Sequence, residues 1–460
     1  MKIPTSYRPL IILLIGIVLV AGYALLSEDM SKPPVEAKGL SIKTWTTNNG
    51  ARVFYVPATS LPMVDVRVVF DAGSARDGKQ YGIAQLTNNL LSQGAGEWNA
   101  QQLAERFEDV GANFSTNALR DMAVVSLRSL TEKEWLDTAL QTMATIIRKP
   151  RFDKHAVERE RQLQLVAIEE QQQSPEAIAE KLFYKNLYGN HPYAHPGIGN
   201  KQSLTAIKRE DLIAFHKQYY VGKNAIVAIV GNVDEKQAHK IANQLVGDLP
   251  RGDKAAAIPE PQALTKAVAI KHVYPTTQTH LLAGVIGTQR GDKDYFPLYV
   301  GNHILGGGGF SSRMMKEIRE KRGLAYSAYS YFLPMRVRGP FQLGAQTRNE
   351  KAGETLGLMK EVLKKFVNDG PTVDELEHAK RNITGGFPLK LDSNKDIIQY
   401  LAMIGFYGLP LDYLNKFNQH VNAVTIAQIK DAFKRRVDPE KLLTVVVGAD
   451  VKEKSYKPAE

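Results

Sequence analysis

The chain is 460 residues long, more than one ordinary hydrophobic core organises, so two to four domain-sized units are expected. A composition of 43% hydrophobic and 23% charged residues excludes a disordered chain, and the absence of cysteine excludes disulfides and thiolate metal sites. The net charge of +11 comes without a Lys/Arg run of five or more, a basic helix, a zinc finger or an aromatic RNA motif, so it reads as a solvated basic surface and argues against nucleic acid as the partner.

In chain order, residues 1–8 carry Lys2 and Arg8 and read as a cytoplasmic n-region. Residues 9–26 are uncharged and approach the length of a bilayer span. Cations before them, with Glu28 and Asp29 after them, place the body on the far side of the membrane. Gly22-Tyr23-Ala24 leaves a cleaved signal peptide open, while the apolar run to Leu26 favours an uncleaved anchor. Residues 27–40, with Pro33 and Pro34, read as a linker.

The body reads as mixed α and β. Strand-like stretches fall at 51–56, 63–70 and 122–127. Asn99 is placed to cap a helix whose Leu103, Phe107 and Val110 share a face, with Gly111 ending it. Thr131 with Glu134, Thr372 with Glu375, and Thr425 with Gln428 have capping-box spacing. The first of these helices must stop by Pro150.

The sequence also echoes itself. Residues 224–234 and 441–450 each run through a β-branched stretch into Gly231 or Gly448, and each follows an Ala-Phe pair, Ala214-Phe215 or Ala432-Phe433. Residues 73–78 are echoed by 287–292. Gly448 follows Gly231 by 217 residues and Arg290 follows Arg76 by 214, so two related halves are expected. Pro250, Pro259 and Pro261 mark residues 250–266 as the connection between units 41–249 and 267–455.

Three segments bear on chemistry. On residues 82–91, Gln85 and Asn89 are one helical turn apart and share a face, with Asn88 beside them. Read alone, this is an amphipathic helix with three amides. His191 and His195 are also four apart, but Pro192 and Pro196 break any helix between them, so a metal pair is disfavoured. Residues 305–309 run Leu-Gly-Gly-Gly-Gly, with no Gly-Lys-Ser/Thr after them, so a phosphate loop is excluded. Ser311 or Ser312 is placed to cap the following helix, which should end near Gly323 with a strand starting at Tyr326.

The stretch from Asp71 to Leu91 resembles the segment that opens the inverted zinc site of the pitrilysin/insulinase peptidases, whose helix carries His-x-x-Glu-His. By that resemblance Gln85 and Asn89 stand at the two histidine ligands and Asn88 at the general base. Aligning Glu160-Arg161 and Pro175 places Ala167 at the third ligand, with Glu169 two residues late and Glu160 at a supporting acidic position. Neutral amides are poor zinc ligands and alanine is none, so no zinc is expected in this chain. The residues 186–199 resemble a His-Pro-Tyr loop of the family that is not its zinc site. The Gly-rich stretch Gly306, Gly307, Gly308 and Gly309, then Arg319 and Tyr326 seven apart, is similar to the family's substrate-binding loop and Arg/Tyr pair. A guanidinium and a phenol there would hold a peptide carbonyl and its developing oxyanion.

The resemblance implies an α+β fold of two homologous halves, each a mostly antiparallel sheet layered with helices. It implies the non-catalytic subunit of a heterodimer, with zinc in a homologous partner, Arg319 and Tyr326 completing the partner's site, and peptides bound by strand addition. With the export signal, it implies a bacterial periplasm and anchoring to the inner membrane by residues 9–26. Two alternatives stay open: a scaffold or peptide-binding pseudoenzyme with no role in proteolysis, and an autonomous peptidase with an unorthodox metal site.

Overall fold

The computed structural model describes residues 39–450. The expected n-region, the anchor at 9–26, most of the linker after it and residues 451–455 lie outside the described residues. Among those described, no helix is long and apolar enough to cross a membrane.

Two sheets form the framework. The first joins β1 (Lys43–Thr46), β2 (Arg52–Pro57), β3 (Met63–Phe70), β6 (Asn113–Ala118), β7 (Ala123–Leu130) and β8 (Ala225–Gly231), in the order β1-β2-β8-β3-β7-β6. A small ribbon, β4 (Gly94–Ala95) and β5 (Trp98–Asn99), stands apart from it. The second sheet joins β9 (Val268–Val273), β10 (Gln278–Ile286), β11 (Ala325–Phe332), β12 (Pro340–Arg348) and β13 (Leu443–Gly448), in the order β11-β12-β10-β13-β9.

Apart from the extra edge strand β1, the two sheets have one topology. Within each, the pairs are antiparallel except for one: β2 with β8 in the first and β9 with β13 in the second. The sequence echoes fall on equivalent places, because β8 matches β13 and the turn after β3 matches the turn after β10.

The helices used below are α1 (Ile83–Leu90), α2 (Ala100–Glu108), α3 (Lys133–Arg148), α4 (Lys154–Gln172), α5 (Pro175–Tyr188), α6 (Arg209–Tyr219), α7 (Ala352–Asp369), α8 (Val373–Gly386), α9 (Asn394–Tyr407) and α10 (Ile426–Arg436). Asn99, Thr372 and Thr425 each cap a helix with a full capping box. The Thr131–Glu134 box does not form. Thr131 instead prolongs β7 by donating its N–H to Pro62 O at 2.9 Å, so α3 starts at Lys133, one residue later than that box implies, with Glu132 at the cap position.

Alternation along β3 fixes the two faces of the first sheet. Val64, Val66, Val68 and Phe70 enter one core, with Leu86 and Leu90 of α1 and Met143 of α3. The opposite face is covered by α9, a helix from the second half, packed on β2, β3 and β8. Reciprocally, α5 of the first half packs on β10 and β13. Phe183 and Leu187 of α5 join Leu282, Val445 and Val447 in a second core. The halves therefore exchange helices, and the described residues from Ser41 onward behave as one compact unit.

The connection at 250–267 forms no helix or strand, yet it is held to both halves. His191 Nε2 lies 2.7 Å from Pro259 O, and Arg338 donates to Pro261 O and pairs with Glu260. Ile258 is buried in the α5 core. At the seam, buried Asp121 accepts from the Tyr193 hydroxyl at 2.5 Å, the Tyr407 hydroxyl at 2.9 Å and the Arg336 N–H at 2.8 Å.

Candidate functional site

The N-terminus of α1 is held by Asp77, which accepts the N–H groups of Gly82 at 2.7 Å and Ala84 at 3.0 Å. Burial pushes the Asp77 carboxyl well above the usual carboxylate range, against the pull of those two hydrogen bonds. His195 Nδ1 lies 3.7 Å from Asp77, and its ring stacks on Tyr81.

This cap sets the rotation of α1. Asn88 is wholly buried and donates from Nδ2 to the Tyr220 hydroxyl at 3.3 Å, while its Oδ1 has no partner. Tyr220 packs at a tilt against Phe70 and stacks on His216, whose Nε2 meets Ile147 O at 2.9 Å. Burial drives the His216 imidazole down to about 4. Gln85 and Asn89 are half-buried, and among the described residues neither side chain makes a hydrogen bond.

Helix α4 packs against α1 and carries Ala167, half-buried, and Gln164, whose Nε2 donates to Ile198 O at 2.8 Å. Glu160, on the same helix, lies 3.5 Å from Arg159. Gln85 opens onto a cavity of about 270 Å³ with Arg120, Gln171, Glu180, Lys181 and Tyr184; Asn88, Asn89 and Ala167 do not line it. Arg120 is fixed there by hydrogen bonds to Tyr193 O and His195 O and by stacking on Tyr184.

Two amides and a methyl group at the ligand positions do not fit a zinc ion. Among the described residues, no group of three or more His, Asp or Glu is placed to hold a metal.

None of the four glycines of the Gly-rich segment lines that cavity. Its first two glycines close one π-helical turn, His303–Gly307, and a second, Met315–Glu320, follows it, a form that recurs at functional sites. Gly306 is buried, and a Cβ there would come 2.4 Å from Ser330 N of β11, so the loop lies against the edge strand only because it lacks a side chain. Gly307, Gly308 and Gly309 reach the surface. Ser312 caps the second turn, accepting from Met315 N at 3.4 Å, and Gly323 at φ +58 closes it. The strand starts at Ala325, one residue before the position expected.

Across this turn Arg319 and Tyr326 meet. The guanidinium carbon lies 4.6 Å from the Tyr326 ring centroid and 4.7 Å from that of Phe310. Tyr326 is 83% exposed and Phe310 65%. No carboxylate among the described residues pairs with Arg319. The result is a stacked cation between two exposed rings, and neither Arg319 nor Tyr326 lines the Gln85 cavity.

Sequence reasoning missed Phe310, Arg120 and Tyr220. Phe310 follows the glycines directly, and an aromatic after such a run was a usable signal. Arg120 and Tyr220 carry no local pattern, since distant segments bring them to the site.

Two family models match the chain. One, described as Insulinase (Peptidase family M16), matches residues 52–201, and the other, described as Peptidase M16 inactive domain, matches residues 206–383. The crystal structure of a peptidase M16 inactive domain from Pseudomonas fluorescens is 39% identical, with a TM-score of 0.87 over 91% of this chain and 100% of that one. A protease from Helicobacter pylori, 21% identical with a TM-score of 0.82 over 89% of this chain and 99% of that one, shares the fold. The Helicobacter pylori protein called non-peptidase homolog YmxG is 26% identical over 413 residues, 87% of this chain and 93% of its own length. The uncharacterized zinc protease YmxG of Bacillus subtilis is 26% identical over 353 residues, 76% of this chain and 85% of its own length.

Proposed function

The chain belongs to the M16, or insulinase, family of peptidases, and we propose that within it this chain works as a non-catalytic subunit, lending Arg319 and Tyr326 to the active site of a zinc-bearing homologue. The observation that carries this reading is the stacked Arg319–Tyr326 pair, whose phenol ring is exposed and neither member of which lines the chain's own Gln85 cavity. A pair that served this chain's own site would be expected to line it.

The chemistry follows from the groups. Gln85, Asn89 and Ala167 leave no ligand set for zinc, and Asn88 cannot act as a general base. Among the described residues no carboxylate engages the Arg319 guanidinium, which two rings orient, so it can hold a peptide carbonyl and the negative charge that develops on it in a partner's site. The exposed loop at 307–309 would let a peptide backbone pass close beside it. The same reading places the body in a bacterial periplasm, anchored by residues 9–26.

The test is co-expression with a zinc-bearing M16 homologue from the same genome, comparing the parent chain with Arg319→Ala and Tyr326→Phe. Peptidase activity of the mixture should fall by about tenfold or more in each variant while the complex still forms. Unchanged activity in both variants would sink the catalytic-support role.

A further inference from the structure

The cavity at Gln85 does not end there. A second cavity of about 340 Å³ adjoins it and shares Gln171, Ala177, Lys181 and Pro196 with it. Its wall is more apolar, built from Ile168, Ile178 and Leu182, with His272 of the edge strand β9 also lining it. The two adjoin along α5, polar where Gln85, Arg120 and Glu180 line the first and more apolar where Ile168, Ile178 and Leu182 line the second.

Apart from Arg120, held by Tyr193 O and His195 O, most of the polar groups in them are free. Among the described residues, the side chains of Gln85, Gln171 and Lys181 have no hydrogen-bond or ion-pair partner, and Glu180 has none either. Behind the wall, Ser74 Oγ and Gln164 Oε1 are buried without a partner, next to Gly197 and Ile198 of that wall. Lys181 is the one charged side chain common to both cavities, so it sits at their junction.

A ligand that satisfies this arrangement carries an anion beside an apolar group, with amide-like groups on the other side. We infer that the two adjoining cavities bind the free C-terminus of a peptide whose last residue is apolar. The terminal carboxylate lies at Lys181, with Arg120 adding positive charge from the polar end. The last side chain fills the space between Ile168, Ile178 and Leu182. Gln85 and Gln171 meet the preceding peptide groups as donors and acceptors, and Glu180 accepts a backbone N–H. This deepens the reading of the chain as a peptide-binding subunit: it would hold a chain end without cutting it.

The test uses the full chain alone, with no zinc-bearing partner. A short Ala/Ser peptide ending in leucine, labelled with fluorescein on its N-terminus, is titrated by fluorescence anisotropy with a free C-terminal carboxylate and with a C-terminal amide. The free acid should bind about tenfold or more tighter than the amide. Lys181→Gln, at an exposed position, should erase that difference, and Ile178→Asp should weaken binding of the free acid. Equal binding of acid and amide, or no binding of either, overturns the proposal. Tighter binding of an unlabelled peptide with a free N-terminus and an amidated C-terminus, read by competition, overturns it in favour of amine capture at Glu180. Because no partner is present, these outcomes are independent of the Arg319 and Tyr326 test.

Discussion

The hydroxyl of Tyr407, on a helix of the second half, donates to the carboxylate of Asp121, in a loop of the first, at 2.9 Å. Tyr193 takes the other oxygen of Asp121, so one buried carboxylate ties the exchanged helix α9 to the loop that also carries His191 and His195.

Asp121→Ala would leave the Tyr193 and Tyr407 hydroxyls and the Arg336 N–H without an acceptor in a buried seam. The expected loss is about 3 kcal/mol, read as a lower urea midpoint, with Asp121→Asn recovering part of it. An unchanged midpoint for the alanine variant would show that the seam does not depend on this residue.

His216 should make stability fall in acid. Burial lowers its pKa in the folded chain to about 4 from 6.5, so between those values the unfolded chain binds a proton that the folded chain refuses. The stabilisation is complete above pH 6.5 and is lost as pH falls toward 4, about 3 kcal/mol in all. Urea midpoints at pH 7 and pH 4.5 should differ by less in His216→Leu than in the parent. Equal differences would rule His216 out as a source.

Gly405 on α9 lies against the first sheet, where a Cβ would come 2.6 Å from Phe54 and 2.8 Å from Ile226. Gly405→Ala should cost about 1–3 kcal/mol by pushing the helix off the sheet, measured as a reduced melting temperature. A melting temperature at or above that of the parent would mean that the seam yields more readily than these contacts imply.

Gln85→His, Asn89→His and Ala167→Glu together would restore two imidazoles and a carboxylate at the family's ligand positions. Elemental analysis should find about one zinc per chain in the triple variant, with a melting temperature that rises on adding zinc. Absence of zinc would move the third position from Ala167 toward Glu169. Hydrolysis should also need Asn88→Glu, and that change buries a carboxylate against Tyr220 at a cost in stability.

The strand at Met63–Phe70, the caps at Asn99, Thr372 and Thr425 and the repeat of β8 in β13 were legible because each rests on local spacing. The exchange of α5 and α9 was not. Periodicity tells that a helix has an apolar face and says nothing of which sheet receives it. The π-helical turns beside the glycines were equally hidden, since the packing of Gly306 on β11 holds that backbone in place. Thr131 misled because a capping residue at the end of a strand can be claimed by the strand first.

The reciprocal placement of α5 and α9 also sets an order of events during synthesis. When the ribosome has delivered the first sheet, α5 is already made but its seat on β10 and β13 is not, and the face of β2, β3 and β8 waits for a helix that begins at Asn394. Through that interval the nascent chain exposes apolar surface at two places, so neither half should mature separately and each has need of chaperone cover. Cutting the gene at the connection should therefore give two insoluble fragments that recover the native fold only when produced together.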